Sequence, residues 1–560
     1  MSFHKYEKKK QLLLMKYHIT HILLCTFFLV SCSIEEEQTS ENQAPNIILI
    51  LVDDMGYSDI GCFGGEISTP NIDLLAEKGT RFTQFYNNAR CCPSRASLMT
   101  GLYPHQAGMG HQNVDHGHHS YSGRITNNAT TIAEVLSENG YRTYHVGKWH
   151  LGNESEYWPD KKGFQQSFTL VEGAMNYYNR SPWLKNQDSL MITYNSESYL
   201  PKEGFYATTT FTDTAMAFVE RHDFNSPLFM YLAYNAPHWP LHAPQEDIDP
   251  YKGQYLLGWD SLRTKRFERM KELGILLEKH TLSERFHSVP AWSSLSDSVQ
   301  QDWDSKMALY AGVMANLDRN IGRLLSTLEE KNQLDNTLIV FMSDNGACYE
   351  DPVPLNAPWS NHPTDGVPGG PNSFPSYGTA WANAGNTPFA YFKSYLHEGG
   401  IISPLIVSYP NKVPAGKIDS KTVGHITDIL PTFLDLTEAE YPSKIENRKI
   451  TPFVGTSLLS AFYGEKSIKR DTMYWEHEFH RAIRVGDWKL ISPYKIRGKN
   501  GIYNQWELYD LKEDPTEQQN LAAQYPDKVE VLSKAYEVWA KKVNALTKVE
   551  MDSVKRLKMN

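Results

Sequence analysis

The sequence predicts an α/β protein: a large, mostly parallel sheet sandwiched by helices, with a smaller antiparallel α+β domain at its C-terminal end. Three observations carry this. Unbroken apolar runs such as Ile47-Ile48-Leu49-Ile50-Leu51-Val52 suit strands buried on both faces of a parallel sheet. Such runs alternate with segments of helical period, the order expected of βαβ units. After about Leu436 the pattern changes to short strands separated by turns.

In chain order, Pro45–Val52 is the first strand. Thr131–Asn139 has a helical period, Gly140 is a suitable stop, and Tyr141–Val146 follows as a strand. Leu228–Ala233 is a short apolar run leading into a Pro-rich loop. Met307–Glu330 repeats apolar residues at helical spacing, and Thr337–Met342 is again a buried strand. Two stretches interrupt this order. Asp249–Asp304 is charged and helical in pattern, as a surface insertion would be. Glu350–Asn386 is rich in Pro, Gly and Asn without periodicity, and a loop of that length is usually functional or mobile. Met473–Glu476, Arg481–Val485 and Trp488–Ile491 read as strands of the smaller domain, and Lys528–Lys542 reads as its final helix.

With 560 residues, 41% of them hydrophobic and 21% charged, the chain has the makeup of a globular protein of more than one domain. A net charge of −10 argues against a nucleic-acid partner, which calls for a basic face. The 12% of aromatics serve core packing or carbohydrate stacking. Lys5, Lys8, Lys9, Lys10 and Lys16 precede the apolar run Ile22–Val30, which is too short to span a bilayer but suits a signal peptide. Leu29-Val30-Ser31-Cys32 resembles a bacterial lipobox, which implies residues 1–31 as signal peptide and a lipid anchor on Cys32. A plain secretory signal with an incidental cysteine is the alternative. Residues 32–44, with Glu35-Glu36-Glu37, read as a solvated tether like that of bacterial surface lipoproteins. The expected location is the bacterial outer membrane or cell surface, or the periplasm. The catalytic domain is expected at 45–436 and the small domain at 437–560.

Ligands in an open parallel sheet bind beyond the carboxyl ends of its strands. The first strand runs into Asp53-Asp54, and Thr337–Met342 runs into Ser343-Asp344-Asn345-Gly346. Were these strands parallel neighbours, three carboxylates and one amide oxygen would converge and repel unless a hard cation, Ca²⁺ or Mg²⁺, sat among them. Of the six cysteines, Cys62, Cys91, Cys92 and Cys348 lie beyond the export segment, too scattered for a disulfide framework. Adjacent Cys91 and Cys92 pair poorly with each other.

The segment Cys91-Cys92-Pro93-Ser94-Arg95-Ala96-Ser97-Leu98-Met99-Thr100-Gly101 resembles the signature of the type I sulfatases, Cys-x-Pro-Ser-Arg followed by Leu-x-Thr-Gly. The resemblance extends in order from Asn46 to Ile406 and is nearest to the arylsulfatase branch. It implies the alkaline phosphatase-like fold and a sulfuric ester hydrolase. It also implies that a maturation enzyme oxidises Cys91 to formylglycine, and that Asp53, Asp54, Asp344, Asn345 and the modified Cys91 hold one Ca²⁺. The hydrated aldehyde attacks sulfur, and its second hydroxyl lets the sulfated product collapse to aldehyde and free sulfate, an exit that serine lacks.

Other positions follow from the same resemblance. Gly147-Lys148-Trp149-His150 gives Lys148 a sulfate-binding role and His150 a base role. In Ala236-Pro237-His238-Trp239-Pro240, His238 would protonate the leaving oxygen. Lys393, ahead of Glu398-Gly399-Gly400, resembles the second sulfate lysine, and Arg95 would hold the carboxylates with its fork of donors. Trp488-Lys489-Leu490 and Glu507–Glu517 resemble the family's small domain. The implied substrate is a sulfated polysaccharide or glycan. Two rivals remain: a phosphodiesterase or phosphonate monoester hydrolase of the same superfamily, and a non-catalytic surface protein that binds sulfated glycan. His111, His116, His118 and His119 crowd one loop that is solvated, lines the pocket mouth, or holds a transition metal. Asn128-Ala129-Thr130 fits a glycosylation acceptor that a bacterial lipoprotein would leave empty.

Overall fold

In the computed structural model Asn46–Val52 form β1, and every residue of it is buried. The structure describes residues 44–182, 188–351, 366–494 and 505–559, together with 7, 9 and 10. Cys32 and nearly all of the expected signal segment and tether lie outside the described residues, as does 352–365 of the long loop. Pro45–Asn560 form one compact unit.

β1 has parallel neighbours on both sides, β7 (Leu228–Ala233) and β8 (Thr337–Ser343). Beyond β7 come β3 (Arg142–Lys148) and β4 (Gln166–Leu170), both parallel, then the short antiparallel β5 (Ile192–Tyr194) and β6 (Glu197–Ser198). On the other side β9 (Ile402–Ser408) runs against β8, and β2 (Thr80–Tyr86) runs against β9. Two reversals return β2 to the direction of β1. β10 (Lys417–Asp419) and β11 (Gly424–His425) pair in parallel with β2.

Alternate residues of β1 enter different cores, as a strand covered on both faces requires. Ile48, Ile50 and Val52 join Met307, Met314 and Leu317 of a long helix, whereas Ile47, Leu49 and Leu51 join Leu98, Met99 and Phe433. The helix Ile132–Glu138 opens with a capping box of Thr131 and Glu134, and the chain turns beyond it at Gly140, whose φ is 86°. The expected strand after it runs on to Lys148. The long helix starts earlier than its apolar period indicates, spanning Asp297–Glu330, because its first turns are mostly polar and exposed.

The Asp249–Asp304 stretch is not a surface insertion. Its helix Gly258–Glu272 buries Trp259, Leu262, Arg263, Arg266 and Met270. The Arg266 guanidinium donates to Asp59 Oδ1 at 2.7 Å and to both Glu66 oxygens at 2.7 and 2.9 Å. Asp59 also accepts from the Tyr310 hydroxyl at 2.6 Å and from the backbone N–H of Gly56 at 2.8 Å. The insertion thus braces the loop that follows β1.

The C-terminal region forms an antiparallel sheet of β14 (Thr472–His477), β15 (His480–Val485), β16 (Trp488–Ser492) and β17 (Glu507–Asp510), numbered after a two-residue hairpin, β12–β13 (Lys444–Ile445, Arg448–Lys449). Leu532, Tyr536, Trp539 and Val543 of the helix Pro526–Val543 pack on Ile483, Leu490 and Leu508 of this sheet. That helix is not the last: Lys548–Met559 forms another, whose short length and many charges hid it. Buried Lys489 ties the sheet to the catalytic region, reaching Glu398 at 2.6 Å and Glu517 at 2.9 Å. The Tyr86 hydroxyl at the end of β2 donates to the same Glu398 at 2.6 Å.

Removing one partner of a buried ion pair leaves the other charged and desolvated, at a cost of about 3–5 kcal/mol. Arg266→Ala is therefore expected to lower the denaturant midpoint strongly, measured by fluorescence unfolding, whereas replacing exposed Arg221 should leave it almost unchanged.

Candidate active site

The register decides the site. Val52 pairs with Ser343, so Asp53-Asp54 and Asp344-Asn345, which follow them, emerge side by side at one edge of the sheet. Gly147 pairs with Ala233, which brings Lys148 and His150 after β3 next to the His238 loop after β7. β2 ends at the same edge and leads into the helix Cys91–Thr100, all of it buried, with Cys91 as its first residue. β9 begins where its neighbours end, so Lys393 arrives from the chain before it. All ten residues singled out from the sequence come together here, from segments as much as 339 residues apart.

Three carboxylates face three cations, all of them buried. Lys148 Nζ lies 2.5 Å from Asp53 Oδ2, and Lys393 Nζ lies 2.7 Å from Asp54 Oδ1. Arg95 donates to Asp344 Oδ2 through Nε at 3.0 Å and sits 2.9 Å from it through Nη2, while Nη1 donates to the Lys148 carbonyl at 3.0 Å. Asn345 Nδ2 donates to Asp54 Oδ1 at 2.7 Å. His238 Nε2 stands 3.4 Å from Asp54 Oδ2, and its Nδ1 lies 2.5 Å from the Trp239 carbonyl. Tyr177 donates to the His238 carbonyl at 2.8 Å and holds that loop. Asp54 (φ 72°) and His150 (φ 59°) adopt the left-handed conformation that costs non-glycine residues of order 1–3 kcal/mol.

Cys91 shares its corner with Cys92 and His150, whose ligand atoms all lie within 4.8 Å of one another. Cys92 Sγ is 3.2 Å from His150 Nε2. The Cys91 thiol is drawn well below its ordinary value by the hydrogen bond from Cys92 and, against burial, by Lys148, His150 and Lys393. Burial lowers His150 to about 4. Burial also lowers His238, against the charge of Asp54. Burial would lift Asp53, but Lys148, His238 and Arg95 outweigh it and hold the carboxyl at about 2. Asp344 is pushed well above the carboxylate range by burial and by the Asp53 charge. One carboxyl pulled down and its neighbour pushed up is the mark of negative charge crowded into a dry site.

The donors fit a hard divalent cation. Asp53, Asp54, Asp344 and Asn345 offer oxygens only, and the buried Asp53 Oδ1 and Asn345 Oδ1 accept no hydrogen bond from the described residues. His238 Nε2 also falls within the Asp53–Asp54 group, a proximity that the sequence did not indicate. Sequence reasoning missed other supports. Gly173 lies under the His150 ring, where a Cβ would come within 2.2 Å of Cε1. Arg90, just before Cys91, pairs with Glu350 at 2.7 Å. Neither carries a local signal, because each acts through a partner far away in the chain.

Lysines, imidazoles and a helix N-terminus around one thiol suit a tetrahedral oxyanion and an attacking atom beside it. The class this defines is the ester hydrolases of sulfur and phosphorus oxyacids. The sulfatase family model matches residues 45–439, and the model of the N-sulphoglucosamine sulphohydrolase C-terminal region matches 388–542. The chain is 34% identical to the arylsulfatase of Klebsiella aerogenes over 75% of its length and 92% of that protein. It is 28% identical to the N-acetylglucosamine-6-O-sulfatase of Bacteroides thetaiotaomicron, covering 92% of this chain and 89% of that one. The crystal structure of Ps i-CgsB in complex with k-i-k-neocarrahexaose superposes with a TM-score of 0.64 at 28% identity, over 89% of this chain and 93% of that one. The chain belongs to the sulfatase family and is a sulfuric ester hydrolase.

A cation that binds only the folded state stabilises it by RT ln(1 + [L]/Kd), about 2.7 kcal/mol at a hundredfold excess over Kd. Adding Ca²⁺ to chelator-treated protein should therefore raise its melting temperature, and Asp53→Asn with Asn345→Ala should remove that rise.

Proposed function

We propose that this sulfatase removes sulfate from a sulfated polysaccharide or glycan, with Cys91 converted to formylglycine and Ca²⁺ held by Asp53, Asp54, Asp344, Asn345 and the modified Cys91. The observation that carries this reading is the setting of Cys91: first residue of a helix, among Lys148, Lys393 and His150, with the oxygen donors alongside. The Bacteroides relative is named for a sulfated sugar and the Ps i-CgsB structure holds a neocarrahexaose, which supports a glycan as substrate.

When bound, the ion and the hydrated aldehyde supply charge neutralisation and a nucleophile that carries its own second hydroxyl. The chain's residues do the rest. Lys148 and Lys393 bind the sulfate oxygens, and Arg95 fixes Asp344 through an Nε hydrogen bond and the ion pair at Nη2. His150, neutral because buried, accepts a proton from the nucleophile's second hydroxyl. Both nitrogens of His238 face acceptors, the Trp239 carbonyl and the Asp54 carboxylate. A proton held at Nε2, favoured by the Asp54 charge and opposed by burial, is the one it would pass to the leaving oxygen. We also propose that the chain is exported and anchored through a lipid on Cys32, on the strength of the sequence before residue 45.

Two measurements test this reading. With a maturation enzyme co-expressed, the Cys91 peptide should carry the aldehyde, and 4-nitrophenyl sulfate should be hydrolysed far faster than 4-nitrophenyl phosphate. Chelation should abolish turnover, and Cys91→Ala should lower kcat by at least about a thousandfold, as expected for loss of a nucleophile. Faster hydrolysis of bis(4-nitrophenyl) phosphate or of a 4-nitrophenyl phosphonate monoester than of the sulfate would instead favour the phosphodiesterase or phosphonate monoester hydrolase reading. Cys32→Ala should move the protein from the membrane fraction to the soluble one, and retention in membranes would overturn the anchor.

A further inference from the structure

The turn between β14 and β15 has no part in the chemistry above, yet it is built at some cost. His477 pairs with His480, leaving Glu478 (φ 49°) and Phe479 (φ 70°) as a two-residue turn with both residues left-handed. Asn, Asp and Gly ordinarily fill such a turn, and a Glu and a Phe there are strained. The surroundings hold it in place. Glu476 accepts from the Phe479 backbone N–H at 2.7 Å, with His105 at 2.7 Å and the Tyr121 hydroxyl donating at 3.1 Å on its other oxygen. Trp475 donates to the Asn87 carbonyl at 2.8 Å and so clamps the hairpin to the segment that leads into Cys91.

The clamped turn brings unsatisfied polar groups near the nucleophile. Both ring nitrogens of buried His477, and Nδ1 of His111, have no hydrogen-bond partner among the described residues. His111 and His477 each stand 3.8 Å from Glu478 Oε1, whose side chain is 35% exposed. The charges of Arg90 and Cys91 both act on His477, and those of Glu478 and Glu350 act on Arg90. Lys555 of the last helix acts on His111 as well, so the surface here carries both signs. Partly exposed carboxylates beside neutral imidazoles suit the hydroxyls of a sugar ring, which donate and accept at close spacing.

We propose that Glu478, with His111 and the Arg90–Glu350 pair, forms the subsite that grips the hydroxyls of the sugar carrying the scissile sulfate. The C-terminal hairpin then selects the glycan while taking no part in breaking the ester. This rests on the sulfatase reading above, and the experiment separates the two.

The test compares kcat/KM of the matured enzyme on 4-nitrophenyl sulfate, which has no sugar, with that on a panel of monosulfated monosaccharides. The panel is N-acetylglucosamine 6-sulfate, galactose 4-sulfate and galactose 6-sulfate. Glu478→Asn removes the longer carboxylate while suiting the left-handed turn, so the fold is kept, and melting temperature checks this. The ratio of the best sugar sulfate to the aryl sulfate should fall at least about tenfold in Glu478→Asn and in His111→Ala, the scale of a lost hydrogen bond to a charged group. Glu478→Gln, which keeps length and one acceptor, should recover part of it. An unchanged ratio overturns the proposal, as does a wild type that cleaves none of the sugars in preference to the aryl ester. A wild type inert toward every sulfate ester, with formylglycine verified, would instead overturn the sulfatase reading.

Discussion

Six ionisable side chains buried at one sheet edge set the terms for the rest of this structure. Asp53, Asp54 and Asp344 face Arg95, Lys148 and Lys393, and none is more than 2% exposed. A lone buried charge is unaffordable, so each must meet its partner within a few ångströms. That demand fixes strand register: a slip of one residue between β1 and β8 would part Asp54 from Asn345 and turn every aliphatic side chain to the wrong face. It also accounts for the strained backbone at Asp54 and His150, where side-chain direction matters more than local comfort.

The layers outside the site serve the same constraint. Arg266, from the helix Gly258–Glu272, neutralises Asp59, five residues beyond Asp54, and so anchors the loop that leaves β1. Lys489, from the small sheet, does the same for Glu398, which opens the Glu-Gly-Gly turn after Lys393. Each side of the pocket is thus held by a second, buried ion cluster supplied by a part of the chain far away in sequence. The small sheet is both a brace and, through its hairpin, a clamp on the segment that leads into Cys91.

Much of this was legible in the sequence, and what was hidden has physical causes. The runs at Ile47–Val52 and Thr337–Met342 announced a doubly covered sheet, and the parallel pairing of β1 with β8 brought together the carboxylates that follow them. Signatures in which chemistry needs neighbours in sequence, such as Cys91 to Gly101 and Gly147 to His150, could be read directly. The inward role of the Asp249–Asp304 segment could not, because a charged helix gives no local sign that two of its arginines, Arg263 and Arg266, face the core. The helix Lys548–Met559 escaped for a similar reason: its charges mask a one-sided apolar face. The contact of Cys92 with His150 joins two residues 58 positions apart, and spacing alone says nothing of it.

The connection from β8 to β9 leaves the sheet at Asp344 and re-enters at Ile402, and it is pinned at the pocket near both ends, by Asp344 and by Lys393. Because β9 is reversed, departure and return lie on the same edge, so the length between them does not disturb the ladder. Closing a longer loop is cheap, about 0.6 kcal/mol for each doubling. Insertions and deletions can therefore accumulate between two posts fixed in the charged cluster, and a lineage carrying this fold can explore new pocket shapes with that cluster left intact.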